Sequence, residues 1–569
     1  MYVKASSRRT RDGGVVRYLQ LAHNEWDAKA GVSRTKVLYS FGREDQLDRE
    51  AVRRLVAALS RLLDSADALA AAAGAGLVFT DSRPLGGTFA LDGLWHRLGI
   101  DTAIRRLLTD RRFDERVERI LFALVANRAL APSSKLAAAE WMSQDVWITD
   151  LADLQVTDDA CYRAMDWLLE IEPKLAEQVF WNTADLMNLE VDLLFFDTTS
   201  TYFETGGADE PVPRNEQGQR LADDADAATA VKESGFRAYG KSKDSRDDLP
   251  QVVVGMAVTR EGIPVRCWSW PGSTSDSALI RQVREEIRDW NLSRIVWVAD
   301  RGFTSEQNRR ALMQGGGGYI IGEKLRSGSP EVRAALARPG RYATVRDNMQ
   351  VKEVNIGSDD RFILCFNPEQ AKRDEAIREQ MLTQLEAAIK DSDKLTGEQR
   401  AHLAGQLSTK SALKRYLRTT PKGLLRVDKQ KIAAEAKLDG KYLLRTSDPK
   451  LSPEDVALGY KALLEVERGW RDMKSVIDLR PVYHRKEERI RAHVVLCWLA
   501  LLLIRVAETG TGQTWRTLQH ELDRLHLGTF TGPAGTFRQR TETTTAHKQI
   551  LTALGLTEPP RVFEATPSP

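Results

Sequence analysis

Two aspartates follow directly on short apolar runs that have the composition of buried strands. Asp197 comes after LLFF, and Asp300 comes after IVWVA. We expect each carboxylate to emerge at the carboxyl end of its strand, where sites form in mixed and parallel sheets. Two carboxylates on neighbouring strands repel each other unless a divalent cation lies between them. Either Asp alone is better explained by a strand-end turn, but the matching positions of the two, with an acid on a later helix, favour a metal site.

A third acid on a later helix, Glu467, would complete an oxygen-rich cage with the two aspartates. Such a donor set suits Mg²⁺, with Mn²⁺ as an alternative. Two ions close together would activate a water or a 3′-hydroxyl and stabilise the leaving oxygen of a phosphodiester. The chemistry expected here is therefore metal-dependent phosphoryl transfer.

Helix geometry favours Glu467 as the third acid of the site over Glu465, which stands two residues away. At about 100° per residue, positions seven apart drift only about 20°, so Tyr460, Glu467 and Lys474 share one edge of an apolar stripe. Glu465 lies on the outer face with basic residues at i−4 and i+3, the pattern of a solvated helix surface. Its neighbours on that face are Lys461, Arg468 and Asp472.

The stretch GFRAYGKS, residues 235–242, matches the nucleotide-binding pattern G-x-x-x-x-G-K-[ST]. A phosphate-binding loop requires a strand before the glycines and a helix after them. The preceding AVKESG is charged, and the following KDSRDDLPQ is rich in turn formers and closed by Pro250. We therefore expect no nucleotide to bind here.

Composition describes a soluble globular protein with two to four domains. The 569 residues are 42% apolar and 29% charged, with a net charge of +3, so any nucleic-acid binding must come from local basic patches. The four cysteines are isolated, which argues against zinc and disulfides and fits a reducing cytoplasm. The N-terminus lacks the apolar core of a signal peptide, and the apolar run 494–504 is too short to span a bilayer. We expect that run to be a buried helix and the protein to need no membrane.

The order of elements indicates an α/β fold. Residues 1–43 resemble a small hairpin, two helical stretches follow, and the pattern stays helical from about 84 to 190. From residue 191 the order is β-β-β-α-β-α-β, which with one more helix gives the ribonuclease-H-like arrangement of three antiparallel and two parallel strands.

The last helix is delayed by a long block that is best explained as an inserted subdomain. We expect six parts in all: 1–75, an N-terminal hairpin and helix; 76–190, a helical DNA-binding or dimer domain; 191–324, the first part of the catalytic core; 325–445, the inserted subdomain; 446–510, the second part of the core; and 511–569, a helical C-terminal region with a tail.

Four blocks together resemble the DDE transposases of bacterial insertion sequences. They are FFDTTSTYFE, the stretch from YGKSKDSRDDLPQ to WPGSTSD, VADRGF, and YKALLEVERGWRDMK with the residues after it. The resemblance spans roughly residues 10–510 and is to the group with a Y-x2-R-x3-E-x6-K signature and an inserted β-rich domain. It implies that Asp197, Asp300 and Glu467 are the metal-binding triad.

The resemblance also implies which residues contact transposon-end DNA. Tyr460 and Lys474 match the signature's Tyr and Lys, whereas Leu463 stands at the position of its Arg. Lys461 or Arg471 would then supply the missing phosphate contact. The family also holds a flipped base with an aromatic of the inserted domain, and four residues here could serve: Tyr342, Phe362, Tyr416 and Tyr442.

The function implied by the resemblance is that of a DNA transposase working in the bacterial cytoplasm, at the nucleoid. As a homodimer it would bind the terminal inverted repeats of double-stranded element DNA, cut both strands through a hairpin intermediate and join the 3′ ends to target DNA. Two alternatives are a DNA-binding relative that has lost cleavage and a structure-selective nuclease on the same fold. The complete set of three acids weighs against the first of these.

A basic segment in the insertion predicts a further DNA contact. Residues 410–431 carry eight Lys or Arg and one Asp, and we expect Lys414, Arg415 and Arg418 to contact phosphates. A solvated helix face is the alternative. His484 and His493 are predicted to be structural, since two-metal phosphoryl transfer needs no histidine.

Overall fold

A computed structural model of the chain describes residues 2–10, 14–27, 31–60, 77–109, 116–151, 155–189, 191–221, 232–290, 294–326, 328–480, 482–532 and 535–567. The chain divides into two compact units. The smaller unit comprises Met1–Ser82, Gly528–Arg540 and Arg561–Pro569, and the larger comprises Arg83–Leu527 and Thr541–Pro560. The six predicted domain boundaries stay predictions.

The smaller unit begins with a three-stranded antiparallel sheet rather than a two-stranded hairpin. Its strands, in the order β1-β2-β3, are β1 (Tyr2–Arg9), β2 (Val15–Asp27) and β3 (Val32–Arg43). Helix α1 (Arg49–Ser60) and strand β4 (Val78–Pro84) follow. The second helical stretch predicted after α1 lies in residues 61–76, outside the described residues.

The larger unit opens with the helices that the sequence predicts. They are α2 (Gly86–Arg97), α3 (Ile100–Leu108), α4 (Arg116–Leu130), α5 (Lys135–Glu140) and α6 (Asp158–Met187). The side chain of Thr157 caps α6 by accepting a hydrogen bond from the backbone N–H of Ala160. The apolar faces of these helices join the main hydrophobic core.

Five strands carry the two predicted aspartates and their neighbours. They are β5 (Leu193–Tyr202), β8 (Gln251–Val258), β9 (Pro264–Pro271), β10 (Val296–Ala299) and β11 (Gly318–Glu323); the short β6 (Val212–Arg214) and β7 (Lys232–Ser234) pair with each other. β5, β8 and β9 are antiparallel neighbours, whereas β10 is parallel to β5 and to β11. Helices α7 (Asp276–Ile287) and α8 (Glu306–Met313) fall between these strands in the chain.

The block after β11 continues the same sheet. Its elements are α9 (Pro330–Ala337), β12 (Ala343–Arg346), β13 (Met349–Val354), β14 (Arg361–Phe366), α10 (Pro368–Ile389), α11 (Gly397–Thr409), α12 (Ser411–Lys414), β15 (Leu417–Thr419), β16 (Leu425–Val427), α13 (Lys429–Ala436) and β17 (Lys441–Thr446). β17 pairs antiparallel with β11, and the sheet has nine strands in the order β12-β13-β14-β17-β11-β10-β5-β8-β9. The strands of this block therefore share hydrogen bonds with the strands that carry the site.

A buried arginine joins the block to β11. Arg445 on β17 is 2% exposed and lies 2.6 Å from Glu323 Oε1 and 3.2 Å from Asp360 Oδ2. It also pairs with Glu331 on α9. A buried guanidinium without paired acids is costly, and here carboxylates from β11, from α9 and from the residue before β14 surround it.

The delayed helix is broken into two. α14 (Pro453–Lys461) packs against β10, β11, β13, β14 and β17, whereas α15 (Leu464–Ser475) packs against β5 and β8. Between them Ala462 has a ψ of −4°, away from the α-helical value. The two segments on either side of this break lie on different strands of the sheet.

The C-terminal part contains strands as well as helices, which corrects the expectation of a helical region. α16 (Glu487–Thr511), α17 (Trp515–Leu522) and α18 (Thr545–Ala553) alternate with β18 (His526–Gly532), β19 (Gly535–Arg540) and β20 (Val562–Pro567). The three strands form a sheet with β4 in the order β20-β19-β18-β4. Short runs rich in Thr and Phe favour strands in this part of the chain.

Helix α16 is the one helix of the described residues that is long and apolar enough to cross a membrane. Its most apolar window is 94% buried inside the protein, against α4, α6 and β9. That burial is typical of a core helix, as the sequence predicts for residues 494–504.

Candidate active site

Strand register places Asp197 beside Asp300. β10 pairs in parallel with β5, and the last pair is Phe196 with Ala299, so the two aspartates come next on adjacent strands. β10 ends there, whereas β5 continues to Tyr202. Asp197 is therefore in the middle of its strand and not at its end, because β8 supplies hydrogen-bonding partners along the rest of β5.

The three predicted acids line one cavity of about 410 Å³. Asp197, Asp300 and Glu467 reach it from three separate segments of the chain, together with Tyr460 and Lys461. Among the described residues, no group of three or more His, Cys, Asp or Glu side chains lies close enough to hold a metal ion. The acids thus share a cavity but do not form a closed three-carboxylate cage.

The electrostatics at this cavity favour a cation. Burial raises the pKa of the Asp197 carboxyl, the nearby ammonium of Lys243 lowers it, and the charge of Asp300 raises it again. A divalent ion beside the two aspartates would relieve the same repulsion. Carboxylate oxygens are the donors that Mg²⁺ and Mn²⁺ prefer, so the two aspartates fit such an ion, and Glu467 lines the same cavity.

Glu465 points away from this cavity, as the sequence predicts. Its carboxylate lies beside the turn between β8 and β9, where a Cβ on Gly262 would come within 2.8 Å of Oε2, and it is 4.0 Å from Arg468 Nη1. Lys461, which we expected on the same outer face, instead lines the cavity. Lys461 and Glu465 belong to different helices, on either side of the break after α14.

Tyr460 contacts one of the acids directly. Its hydroxyl donates a hydrogen bond to Asp300 Oδ1 at 2.9 Å. Burial raises the pKa of this hydroxyl, and the charge of Asp300 raises it further, so Tyr460 remains a donor at neutral pH. Its ring stacks on Tyr442 with the centroids 6.1 Å apart.

Lys474 is also bound to a carboxylate. Its ammonium lies 2.9 Å from Asp244 Oδ1, and Arg480 Nη1 lies 3.0 Å from Oδ2 of the same residue. Leu463 lines the cavity, whereas Arg471 is exposed and is not among its lining residues. Lys461 and Arg471 were the two candidates for the phosphate contact that the signature Arg would make. Of these two, only Lys461 lines the cavity with the acids.

The basic segment of the insertion presents two kinds of side chain. Lys414 and Arg418 are exposed, and the described part of the chain offers neither of them an ion pair. Arg415 lies 3.5 Å from Glu435 and lines a second cavity of about 390 Å³, which meets the first at Asp300. Of the four candidate aromatics only Tyr442 lines both cavities, while Phe362 is fully buried.

The residues that sequence reasoning missed lie just beyond the nucleotide-binding pattern. Residues 235–242 form an extended loop with a single bridge from Ala238 to Gln251, and no helix begins between residues 232 and 275, all of which are described. At the end of the loop Lys243 Nζ lies 3.6 Å from Asp197 Oδ1. The only sequence feature that points to these residues is the motif GKSKD itself.

His484, which the sequence predicts to be structural, does not lie at this site. Its ring lies against the rings of Tyr162 and His493.

Comparison with protein families gives two matches. Residues 224–503 match the family model described as transposase DDE domain, and residues 3–71 match the model described as IS1634 family transposase, N-terminal domain. Asp300 and Glu467 lie inside the first match, whereas Asp197 lies before it.

Among solved structures, the chain has similarity to the piggyBac transposase synaptic complex with hairpin DNA. The identity is 11% and the TM-score 0.32, with 78% of this chain and 82% of the other covered. A comparison with curated proteins gives no significant match.

Proposed function

Because the chain is a DNA transposase of an insertion sequence, with a transposase DDE domain, we propose that Asp197, Asp300 and Glu467 are its catalytic acids. One observation carries this proposal: the three side chains come from separate segments and line a single cavity. The strand register supports the assignment of Asp197 and Asp300, since each follows a residue of the last pair between the parallel strands β5 and β10.

The fold that we propose for the catalytic part is ribonuclease-H-like. The order β9-β8-β5-β10-β11, with the first three strands antiparallel and the last two parallel, supports it. The four strands beyond β11 are then an extension supplied by the insertion, and α15 is the delayed helix that brings Glu467 to the sheet.

Transposases of this family use divalent metal ions, and Mg²⁺ or Mn²⁺ held by Asp197 and Asp300 is our proposal here. When bound, such ions activate the attacking water or 3′-hydroxyl and stabilise the leaving oxygen. The chain's own residues prepare the site. Tyr460 fixes the orientation of Asp300 through its hydrogen bond, and Glu467 lines the same cavity as the two aspartates.

DNA binding follows from the family, and the end contacts are proposals. Lys461 faces the acids, while exposed Lys414 and Arg418 are available to phosphates. Arg415 and Lys474 would have to exchange a carboxylate partner for a phosphate, and exposed Arg471 is a weaker candidate. Tyr442 is the aromatic best placed to stack on a base near the cut.

The full reaction that we propose has three stages. A homodimer in the bacterial cytoplasm, at the nucleoid, binds the terminal inverted repeats of its own element. It cuts both strands at each end through a hairpin intermediate and joins the 3′ ends to target DNA.

The deciding experiment incubates the purified protein with element-end DNA and a plasmid target, with and without Mg²⁺. The proposal predicts end cleavage and strand-transfer products that both require the ion. Cleavage without transfer would indicate a structure-selective nuclease. A mobility shift without cleavage would indicate a DNA-binding relative that has lost catalysis.

A further inference from the structure

Lys243 and Asp244 are consecutive residues that contact two elements of the candidate active site. One element is β5 with Asp197, and the other is α15 with Glu467, which packs directly on β5 and β8. The side chain of Lys243 binds Thr198 on β5, whereas that of Asp244 binds Lys474 at the end of α15. None of the proposed catalytic steps uses either residue.

Lys243 holds the strand that carries Asp197. Its backbone N–H donates to Ser200 Oγ at 2.9 Å, and its ammonium donates to the carbonyl oxygen and to Oγ1 of Thr198, the latter at 2.7 Å. The same ammonium lies 3.6 Å from Asp197 Oδ1 and 3.3 Å from Asp276 Oδ2. Lys243 therefore sits between two carboxylates and is bound to the backbone beside one of them.

Asp244 holds the segment that carries Glu467. Each of its carboxylate oxygens accepts one charge-assisted hydrogen bond, from Lys474 at the end of α15 and from Arg480 just after it. The guanidinium of Arg480 also lies 4.5 Å above the ring of Tyr202 on β5. The two contacts of Asp244 leave little freedom to the end of α15.

The contacts of Lys243 and Asp244 matter more for the placement of the catalytic acids than for the stability of the fold. Half-exposed ion pairs contribute little to the free energy of unfolding, and several of these groups are partly open to water. In catalysis, however, a displacement of about 1 Å at a reacting group costs about 100-fold in rate. Asp197 and Glu467 come from distant parts of the sequence, on either side of the insertion, so their spacing must be set by contacts between the segments that carry them.

We propose that Lys243 and Asp244 are positioning residues that tie the strand bearing Asp197 to the helix bearing Glu467. The inference rests on the proposed function, because it concerns the spacing of the proposed catalytic acids. It gives the GKSKD motif a role that involves neither a nucleotide nor, in the DNA-free protein, a phosphate.

The test compares Lys243→Met and Asp244→Asn with two matched controls from the same loop. Lys241→Met removes an exposed lysine two residues upstream, and Asp248→Asn removes an exposed acid that pairs with neighbouring Arg246. Single-turnover cleavage at saturating end DNA and the Kd for that DNA are measured separately. We expect both test variants to cut at least about tenfold more slowly without weaker end binding, and both controls to match the wild type.

Conservative variants separate positioning from a general loss of fold. Lys243→Arg and Asp244→Glu keep the charges and should recover most of the cleavage rate, although they alter packing more than Met and Asn do. Asp244→Asn combined with Lys474→Met should be no slower than the slower single variant, because both remove the same link.

Three results would overturn the inference. They are cleavage by Lys243→Met and Asp244→Asn within about twofold of the wild type, loss of rate that tracks a lower Tm, or no recovery in the charge-conserving variants. A wild-type protein that binds end DNA but never cuts it would instead contradict the proposed function and remove the basis of the inference.

Discussion

Glu467 and Glu465 are two residues apart on α15, and their surroundings separate their roles. Glu467 faces the cavity that also contains Asp197 and Asp300. Glu465 lies at the turn between β8 and β9, with Arg468 as its ionic neighbour. Glu465 is not among the residues that line the cavity, so chemistry should depend on only one of the two glutamates.

Replacing each glutamate by Gln tests this difference at the scale of a single side chain. Glu467→Gln should abolish cleavage of element ends while end binding remains. Glu465→Gln should cut normally and cost only about 0.2–0.5 kcal/mol of stability, since it loses one surface pair. Cleavage assays and thermal melts on both variants check this, and the reverse pattern would show that the assignment of the helix face is wrong.

The acids could be predicted from the sequence, but the partners of the basic residues could not. Asp197 and Asp300 each follow an apolar strand, a local pattern that one sequence displays. Tyr460 is bound to Asp300 and Lys474 to Asp244, across 160 and 230 residues of chain. Such pairs depend on how distant segments pack, which no local spacing reveals.

At the scale of elements, the same limit applies to the helix that carries Glu467. Its 3-4-3-4 apolar spacing predicts one helix, and the buried Val466, Trp470 and Met473 fit that spacing. The break after Lys461 was not visible, because it depends on which strands each half packs against. Likewise the resemblance implies a β-rich insertion, but the sequence does not show that its strands extend the catalytic sheet, since the pairing of edge strands depends on tertiary packing.

The basic segment after α11 should bind DNA through its exposed charges. Lys414→Gln with Arg418→Gln should weaken end binding and reduce the slope of log K against log salt by about 1.8, because each phosphate that a cation neutralises adds about 0.9 to that slope. Arg415→Gln should have a smaller effect because Glu435 already pairs with that side chain.

The matched control for this prediction is Lys372→Gln with Arg373→Gln on α10, an exposed helix of mixed charge in the same insertion. Binding isotherms at several salt concentrations check all three variants. A salt slope that stays the same in the Lys414 and Arg418 double variant would mean that the segment is only a solvated face.

At the scale of the whole molecule, one buried helix joins the helical region to the sheet. α16 packs against α4, α6 and β9, and a histidine pair lies at its start. Burial, together with the charge of nearby Lys135, lowers the pKa of His484 to about 3. His493, wholly buried beside it, has its pKa lowered in the same way. Both imidazoles are neutral in the folded protein and charge on unfolding.

This arrangement predicts acid sensitivity with a definite sign. A histidine whose pKa is depressed by folding contributes stability that is present above its unfolded pKa of about 6.5 and is lost as pH falls toward 3. The free energy of unfolding should therefore fall from pH 7 to pH 4, and His484→Phe should make that fall shallower. His402→Phe, at an exposed position, is the control and should leave the pH dependence unchanged. Urea unfolding at a series of pH values measures the free energy of unfolding. Equal slopes of that free energy against pH for the wild type and His484→Phe would refute the prediction.

The most direct test of the central claim is single-turnover cleavage of element-end DNA in Mg²⁺ by Asp197→Asn, Asp300→Asn and Glu467→Gln, alone and in pairs. Side chains that act as one catalytic unit give non-additive losses, so a second substitution should add little once the first has removed the chemistry. We predict that each single variant loses cleavage while keeping end binding, and that no double variant is slower than its slower parent. Cleavage near the wild-type rate by any one of the three, or losses that multiply in the doubles, would contradict a site shared by these acids.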